Sequence, residues 1–371
     1  MPAPALVDWG LAERIGTRVA SHSAALAADL PALQRDMEAQ AGLAESLVTQ
    51  VTGLVPTGPA EIRVVDRPAW VRANIVSFQR LLAPLLERWD ERTAQRSGVA
   101  AELTSRVAAA ELGTLLGWMS SRVLGQYDLL LAGRPDATED PHGPSGGTDH
   151  PDGDVVYLVG PNLIRLERRF GFPEEDFRLW VLLHELTHRA QFTGVPWLAP
   201  HFRSLVGTAL TIAEPDARQL AGAARALMQD RAEARRLLDE GGMLALVASP
   251  EQRATLNQIG GMMALLEGHG DVTMDRAGQG HVAAAPRFAA VLSARRKAGS
   301  PPVRLLRRLI GLEGKLNQYE QGERFIASIE QVAGPRAVDA CWEGPERLPS
   351  LEEIREPQRW LDRVGLAGKV A

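Results

Sequence analysis

The chain of 371 residues has few of the features that mark secreted, membrane-spanning or nucleic-acid-binding proteins. Its single cysteine, Cys341, excludes an intramolecular disulfide framework and is typical of a reducing cytoplasm. A formal net charge of -5 provides no general attraction for nucleic acid. No apolar run reaches the roughly 18 residues needed to cross a bilayer, and the N-terminus lacks a secretory signal pattern. We therefore expect a cytoplasmic protein with no nucleic-acid or membrane partner, and the sequence leaves the oligomeric state open.

Aromatic residues are also scarce, at 5%, whereas Leu, Val and Ala recur at spacings of three and four. This periodicity predicts helices over residues 8–54, 68–95 and 98–131, and two further helical blocks around residues 199–213 and 215–240. Two short β-branched segments, residues 61–67 and 155–159, favour strands that could pair with each other. The predicted fold is therefore mainly α, a multi-helix fold with a small β-sheet of two or three short strands.

One polar segment, residues 133–154, is rich in Gly, Pro and Asp and predicts a surface loop or linker. It divides the sequence into an N-terminal helical part, residues 1–132, and a C-terminal part, residues 155–371. We expect these parts to pack as one compact unit.

The most informative segment is WVLLHELTHR, residues 180–189, in which ionisable side chains interrupt an apolar helical pattern. An acidic start predicts a helix over residues 173–192. On that helix His184 and His188 lie one turn apart on the same face, so a ring nitrogen of each can reach one Zn2+. Glu185 is rotated by about 100° around the axis and can reach a water molecule rather than the metal. The pattern His-Glu-x-x-His favours a water-activating zinc site over a pair of hydrogen-bonded core histidines.

A catalytic zinc usually has three protein ligands, and the best candidates for the third lie in residues 262–275. Glu267 and Asp271 are one helical turn apart. Glu267 could therefore bind the metal while Asp271 accepts a hydrogen bond from a ligand histidine. His269 is the alternative third ligand, although on a regular helix it points about 200° away from Glu267. We favour Glu267 because its pairing with Asp271 accounts for a second carboxylate in an apolar helix.

HELTH followed by a later Glu-x-x-x-Asp helix resembles the gluzincin branch of the zincin metallopeptidases. More narrowly, the chain resembles an actinobacterial zincin-like family of zinc-dependent metalloproteases, some of them labelled as associated with biosynthesis of a deazaflavin coenzyme. The segments that carry the resemblance are VDWGLAERIG, VDRPAWVRANI, YLVGPNL, VLLHELTHRAQF, LLEGHGDVTMD and KLNQYEQGERFI. The resemblance implies a zincin-like fold and a Zn2+ cofactor bound by His184, His188 and Glu267. It also implies Glu185 as the catalytic residue.

The expected reaction is hydrolysis of a peptide or small amide substrate, with Glu185 as general base. The developing oxyanion needs a second donor, and Tyr319 in the KLNQYEQGERF segment is the first candidate. The other candidates for this donor are His201, His269 and His281. By analogy with zincins, YLVGPNL (157–163) could be the edge strand that holds an extended peptide.

The alternative function is a non-catalytic helical binding module that retains a structural or vestigial zinc site. The presence of Glu185 favours the enzyme, because a structural zinc site needs no general base.

Overall fold

The computed structural model describes residues 7–21, 30–93, 99–128, 154–210, 250–297 and 318–367. The predicted helix at 215–240 and all of the predicted loop at 133–154 except Asp154 lie outside the described residues. The chain forms two compact units, one of Met1–Ala199 with Arg276–Ala285 and one of Pro200–Asp275 with Pro286–Ala371. The predicted division at residues 133–154 stays a prediction.

Helices make up most of the first unit, as the periodicity predicts. In chain order they are α1 (Trp9–Ala20), α2 (Leu30–Thr52), α3 (Arg67–Thr93), α4 (Val99–Met119), α5 (Gly160–Phe170) and α6 (Glu174–Gly194). Helix α7 (Leu198–Leu210) follows at the boundary of the units. The prediction of one helix over residues 98–131 is wrong at its C-terminal end. Helix α4 ends at Met119, and after a turn the chain enters the short strand β2 (Gly125–Tyr127).

The sheet has three described strands in the order β1 (Glu61–Val65), β3 (Val155–Val159), β2. Strand β3 runs parallel to β1 and antiparallel to β2. The two strands predicted from β-branched residues are thus confirmed, and so is the mainly α fold with a small sheet. All five residues of β3 are buried, as expected for a central strand covered on both faces.

The central position of β3 corrects the expectation that YLVGPNL (157–163) is an edge strand. Its strand residues pair with neighbours on both sides, and from Gly160 onwards the segment is helical. The edges of the described sheet are β1 and β2. The side-chain amide of Gln34 covers β1, because it donates to the carbonyl oxygen of Ile62 over 2.7 Å and accepts from the N–H of Val64 over 2.6 Å. A covered edge cannot pair with another strand, which leaves β2 as the edge to consider for a substrate.

Helix α6 lies in the interior of the first unit and packs against α2, β2 and β3. Glu174, Glu175 and Asp176 occupy its first turn, where carboxylates interact favourably with the helix dipole. Buried Arg178 fixes the start of the helix, since its guanidinium pairs with Glu167 over 3.0 Å and with Glu174 over 2.6 Å. The predicted helix over residues 173–192 is therefore confirmed.

The described secondary-structure elements of the second unit are all helices. After part of α7 it contains α8 (Pro250–Ala277) as far as Asp275, most of α9 (Ala285–Lys297), α10 (Gln318–Ala333), α11 (Leu351–Arg355) and α12 (Pro357–Val364). Short 3-10 helices at Ala337–Trp342 and Pro345–Arg347 connect α10 to α11. Ser350 caps the start of α11, since its side chain accepts from the N–H of Glu353. None of the described helices is long and apolar enough to cross a membrane.

One close contact fixes α8 against α10 within the second unit. A Cβ atom on Gly322 of α10 would lie 2.0 Å from the carbonyl oxygen of Ala264 and 2.9 Å from Cα of Gly268. The two backbones can approach this closely only because both Gly268 and Gly322 lack side chains. Gly268 follows Glu267 directly, so this contact fixes the part of α8 that carries the predicted third ligand.

Candidate metal centre

The two histidines of HELTH face each other across one turn of α6. Their Nε2 atoms are 3.2 Å apart, and their rings meet edge to face with centroids separated by 4.6 Å. Both rings are half-buried, whereas the neighbouring Glu185, Leu186 and Thr187 are buried. The i, i+4 spacing places both nitrogens on one side of the helix, as the sequence predicts.

The separation of these nitrogens is suited to binding one metal ion. Two imidazole nitrogens that each bind tetrahedral zinc at about 2.0–2.1 Å are held about 3.3 Å apart. The observed distance between Nε2 of His184 and Nε2 of His188, 3.2 Å, agrees with that geometry. The donor set of two imidazoles and a carboxylate is also one that catalytic zinc uses.

Glu267 of α8 completes a group of three possible ligands. One ligand atom from each of His184, His188 and Glu267 lies within 4.8 Å of the other two, and this is the one such group among the described residues. The alternative ligand, His269, does not belong to it. The imidazole of His269 is 4% exposed and meets the indole of Trp342 edge to face, with centroids 5.1 Å apart.

Gln191 contacts the outer nitrogen of a candidate ligand, a contact that the sequence reasoning missed. Its Oε1 lies 3.0 Å from Nδ1 of His188, and the glutamine is fully buried. Because an amide oxygen can only accept, Nδ1 carries the hydrogen and Nε2 keeps its lone pair for a metal. The spacing from His188 to Gln191 is i, i+3, so helical geometry alone could have identified this contact. The sequence predicts this type of contact for Asp271, which is buried on α8. The pairing of Asp271 with a ligand histidine stays a prediction.

Glu185 projects towards β2. The residue is 7% exposed, and its Cγ, Cδ and Oε1 lie beside Gly125 of that strand. A buried carboxylate next to an edge strand is well placed to act on a substrate held there.

Arg189 anchors the C-terminal half of α6. Its side chain is completely buried, and its guanidinium pairs with Asp154 over 2.8 Å, with Glu45 over 2.6 Å and with the carbonyl oxygen of Gly58 over 2.7 Å. These contacts connect the residue after His188 to α2 and to the start of β3.

Tyr127 on β2 has a raised pKa. The main cause is burial of its phenol, and the second is the negative charge of Asp154, so the phenol stays protonated at physiological pH.

The predicted oxyanion donors lie in different surroundings. Tyr319 belongs to α10, but its side chain lies outside the described residues. His201 lies on α7 and lines a cavity of the second unit with Gln258 and Arg363, and burial lowers its pKa. His281 is exposed in the turn after α8. The choice among these residues stays a prediction.

Comparison with known proteins finds a solved structure and a family model that each match nearly the whole chain. A solved structure from Chloroflexus aurantiacus, described provisionally as a hydrolase with a novel fold, superposes with a TM-score of 0.69 at 29% sequence identity. The superposition covers 98% of this chain and 100% of that one. No curated protein matches the sequence. The sequence model of one family, the zincin-like metallopeptidases, matches residues 7–361. A match over nearly the full length, together with the arrangement of His184 and His188, shows that the chain belongs to the zincin-like metallopeptidase family.

Proposed function

We propose that the protein is a zinc-dependent hydrolase that cleaves a peptide or amide bond. His184, His188 and Glu267 hold the metal, and Glu185 is the general base. The observation that carries the proposal is the 3.2 Å separation of the two Nε2 atoms, which suits a shared metal ion. A metal ion also explains why three ionisable side chains come within 4.8 Å of one another in a largely apolar region.

Zinc, when bound, supplies a Lewis acid that makes water more acidic and polarises a carbonyl group. Glu185 takes one proton from the attacking water, whose oxygen forms a bond to the carbonyl carbon of the substrate. The carbon–nitrogen bond then breaks, and Glu185 returns the proton to the leaving nitrogen. Burial of Glu185 excludes solvent from its carboxylate and confines the proton to these two transfers.

The outer edge of β2 is the proposed binding site for an extended peptide substrate. The carbonyl of Leu124 accepts from the N–H of Val159, and the N–H of Asp128 donates to Val155, so these groups point towards β3. Main-chain groups alternate along a strand, which directs those of Gly125 and Tyr127 to the opposite side. A substrate strand that pairs there passes beside Glu185, the neighbour of Gly125.

The first measurement is the metal content of purified protein, together with that of the His184→Ala and His188→Ala variants. We expect near-stoichiometric zinc in the wild type and its loss in both variants, because each removes one ligand. Purified protein that binds no zinc, even when zinc is supplied, would refute the proposal.

The second measurement is hydrolysis of peptide and small-amide libraries by the wild type and by Glu185→Gln. The variant should retain zinc and lose activity by at least about 100-fold, because it cannot accept a proton. Glu175→Gln is the matched control, since the same change is made on an exposed residue in the first turn of the same helix. Bound zinc without hydrolysis of any library member would favour the alternative, a non-catalytic binding module.

The proposal has three finer parts that go beyond the family assignment. These are a peptide substrate, membership of the gluzincin branch and an association with deazaflavin-coenzyme biosynthesis. The same library distinguishes peptides from small amides. The actinobacterial origin stays a prediction.

A further inference from the structure

Strand β2 meets the side chain of Glu185 at a residue that has no side chain of its own. A Cβ atom on Gly125 would lie 2.5 Å from Cγ of Glu185 and 2.6 Å from both its Cδ and its Oε1. Carbon atoms in contact are normally about 3.5–4.0 Å apart, so any other residue at position 125 would overlap the carboxyl group. Glu185 can therefore occupy its present position only because residue 125 is glycine.

Backbone conformation does not account for this glycine. The described glycines with positive φ are Gly53, Gly58, Gly171, Gly280, Gly334 and Gly365. Gly125 is not one of them and lies in an extended strand, a conformation that alanine adopts without strain. Alanine at position 125 would therefore add one methyl group directed at Glu185 and leave the backbone unchanged.

The side chain of Glu185 can move more easily than the strand. Hydrogen bonds hold β2 to β3 on both sides of Gly125, from Val159 N–H to Leu124 O over 2.8 Å and from Asp128 N–H to Val155 O over 3.0 Å. Moving the strand would break these bonds, whereas the glutamate can rotate about its side-chain torsions. An added methyl group should therefore displace the carboxyl group by about 1 Å.

We propose that Gly125 is a positioning residue for the general base. Because Gly125 has no Cβ atom, the carboxylate of Glu185 can keep its position relative to His184 and His188. This inference rests on the proposed function in one respect, that Glu185 is the base. A displacement of about 1 Å at a reacting group can lower a rate by about 100-fold, so one methyl group on the strand would reduce turnover strongly.

The contact itself is tested without zinc and without a substrate, by thermal unfolding of the apoprotein. Gly125→Ala should lower Tm by about 4 °C in the wild-type background, because the methyl group overpacks a buried site. In the Glu185→Ala background the same change should cost less than about 1 °C, because the atoms that it would meet are gone. Equal losses in the two backgrounds would overturn the inference.

Gly42→Ala is the control for the glycine-to-alanine change in this experiment. No atom lies within 4 Å of a Cβ on Gly42, which is exposed on α2. This variant should keep or raise Tm, since alanine is the better helix former.

The consequence for catalysis is tested with a substrate from the library. Gly125→Ala should leave zinc affinity unchanged within about threefold, because no ligand moves, and should lower kcat by about 100-fold with little change in KM. A fully active Gly125→Ala variant would refute the positioning role.

The two proposals can fail separately. If Glu185→Gln retains full activity, the proposed function fails, while the coupling between residues 125 and 185 in unfolding can still hold. If Gly125→Ala lowers Tm equally in both backgrounds and keeps full kcat, the positioning role fails and the hydrolase proposal stands.

Discussion

The contact between Gln191 and His188 leads to a prediction about metal affinity. Gln191→Leu nearly preserves the volume of a fully buried side chain but removes the oxygen that lies 3.0 Å from Nδ1 of His188. The N–H of that ring then loses a hydrogen-bond acceptor in a buried environment, which costs about 1–3 kcal/mol. The ring is also free to adopt the other tautomer, in which Nε2 carries the hydrogen and cannot bind a metal.

The expected loss of zinc affinity in Gln191→Leu is about 10- to 100-fold, the usual range for removal of a group that orients a ligand histidine. A fold-change of that size corresponds to about 1.4–2.7 kcal/mol, which agrees with the cost of the lost hydrogen bond. The assay is competition for zinc against a chelator of known affinity, at one fixed pH and ionic strength. Circular dichroism on the same samples checks that the helices are retained.

Gln191→Glu is the matched control because it retains an acceptor of the same shape and adds a negative charge. A carboxylate accepts more strongly than an amide and makes the imidazole a better ligand, so zinc affinity should equal or exceed that of the wild type. An affinity of Gln191→Leu within about threefold of the wild type would refute the reasoning. A lower affinity for Gln191→Glu than for Gln191→Leu would also refute it.

Two further predictions concern stability. Arg189→Met should lower the free energy of unfolding by about 3 kcal/mol, since the completely buried guanidinium is the shared partner of Asp154 and Glu45. Denaturant titration checks this, and a loss below about 1 kcal/mol would show that the pairs contribute little. Burial raises the pKa of Glu353, but hydrogen bonds from Arg363 and from the backbone of Ser350 outweigh it, so the pKa lies below its ordinary value of 4.5. The stabilisation is therefore present above pH 4.5 and lost as the pH falls through the lowered pKa. Wild type should unfold at higher urea than Glu353→Gln at pH 7, and this difference should shrink as the pH falls below 4.5. A difference that does not shrink in acid would contradict the assignment.

The helical core and the pair of candidate histidine ligands could be predicted because they depend on local periodicity. His184 and His188 lie one turn apart on any regular helix, so their 3.2 Å approach needs no knowledge of the remaining fold. The contact of Gln191 with His188 is equally local and could have been predicted from the same geometry. Strands β1 and β3 carry β-branched residues over five positions each, which is enough for a strand signal.

Strand β2 carries no such signal, and the helical period of the sequence predicts its residues as part of a helix. It has only three residues, and its extended conformation is stabilised by pairing with β3, which is distant in the sequence. Local propensity is a weak guide where tertiary pairing supplies most of the stability. For the same reason the sequence did not indicate which strand is central and which is at the edge.

The sequence by itself determined the chemistry that is available: two imidazoles and a carboxylate on one helix, and an acidic candidate on another. Only the tertiary structure decided which distant groups meet them. It brings Glu267 rather than His269 into the group of possible ligands, and it places Gly125 against Glu185. The physical reason is that helical periodicity fixes neighbours within one or two turns, whereas contacts between elements depend on how whole surfaces pack.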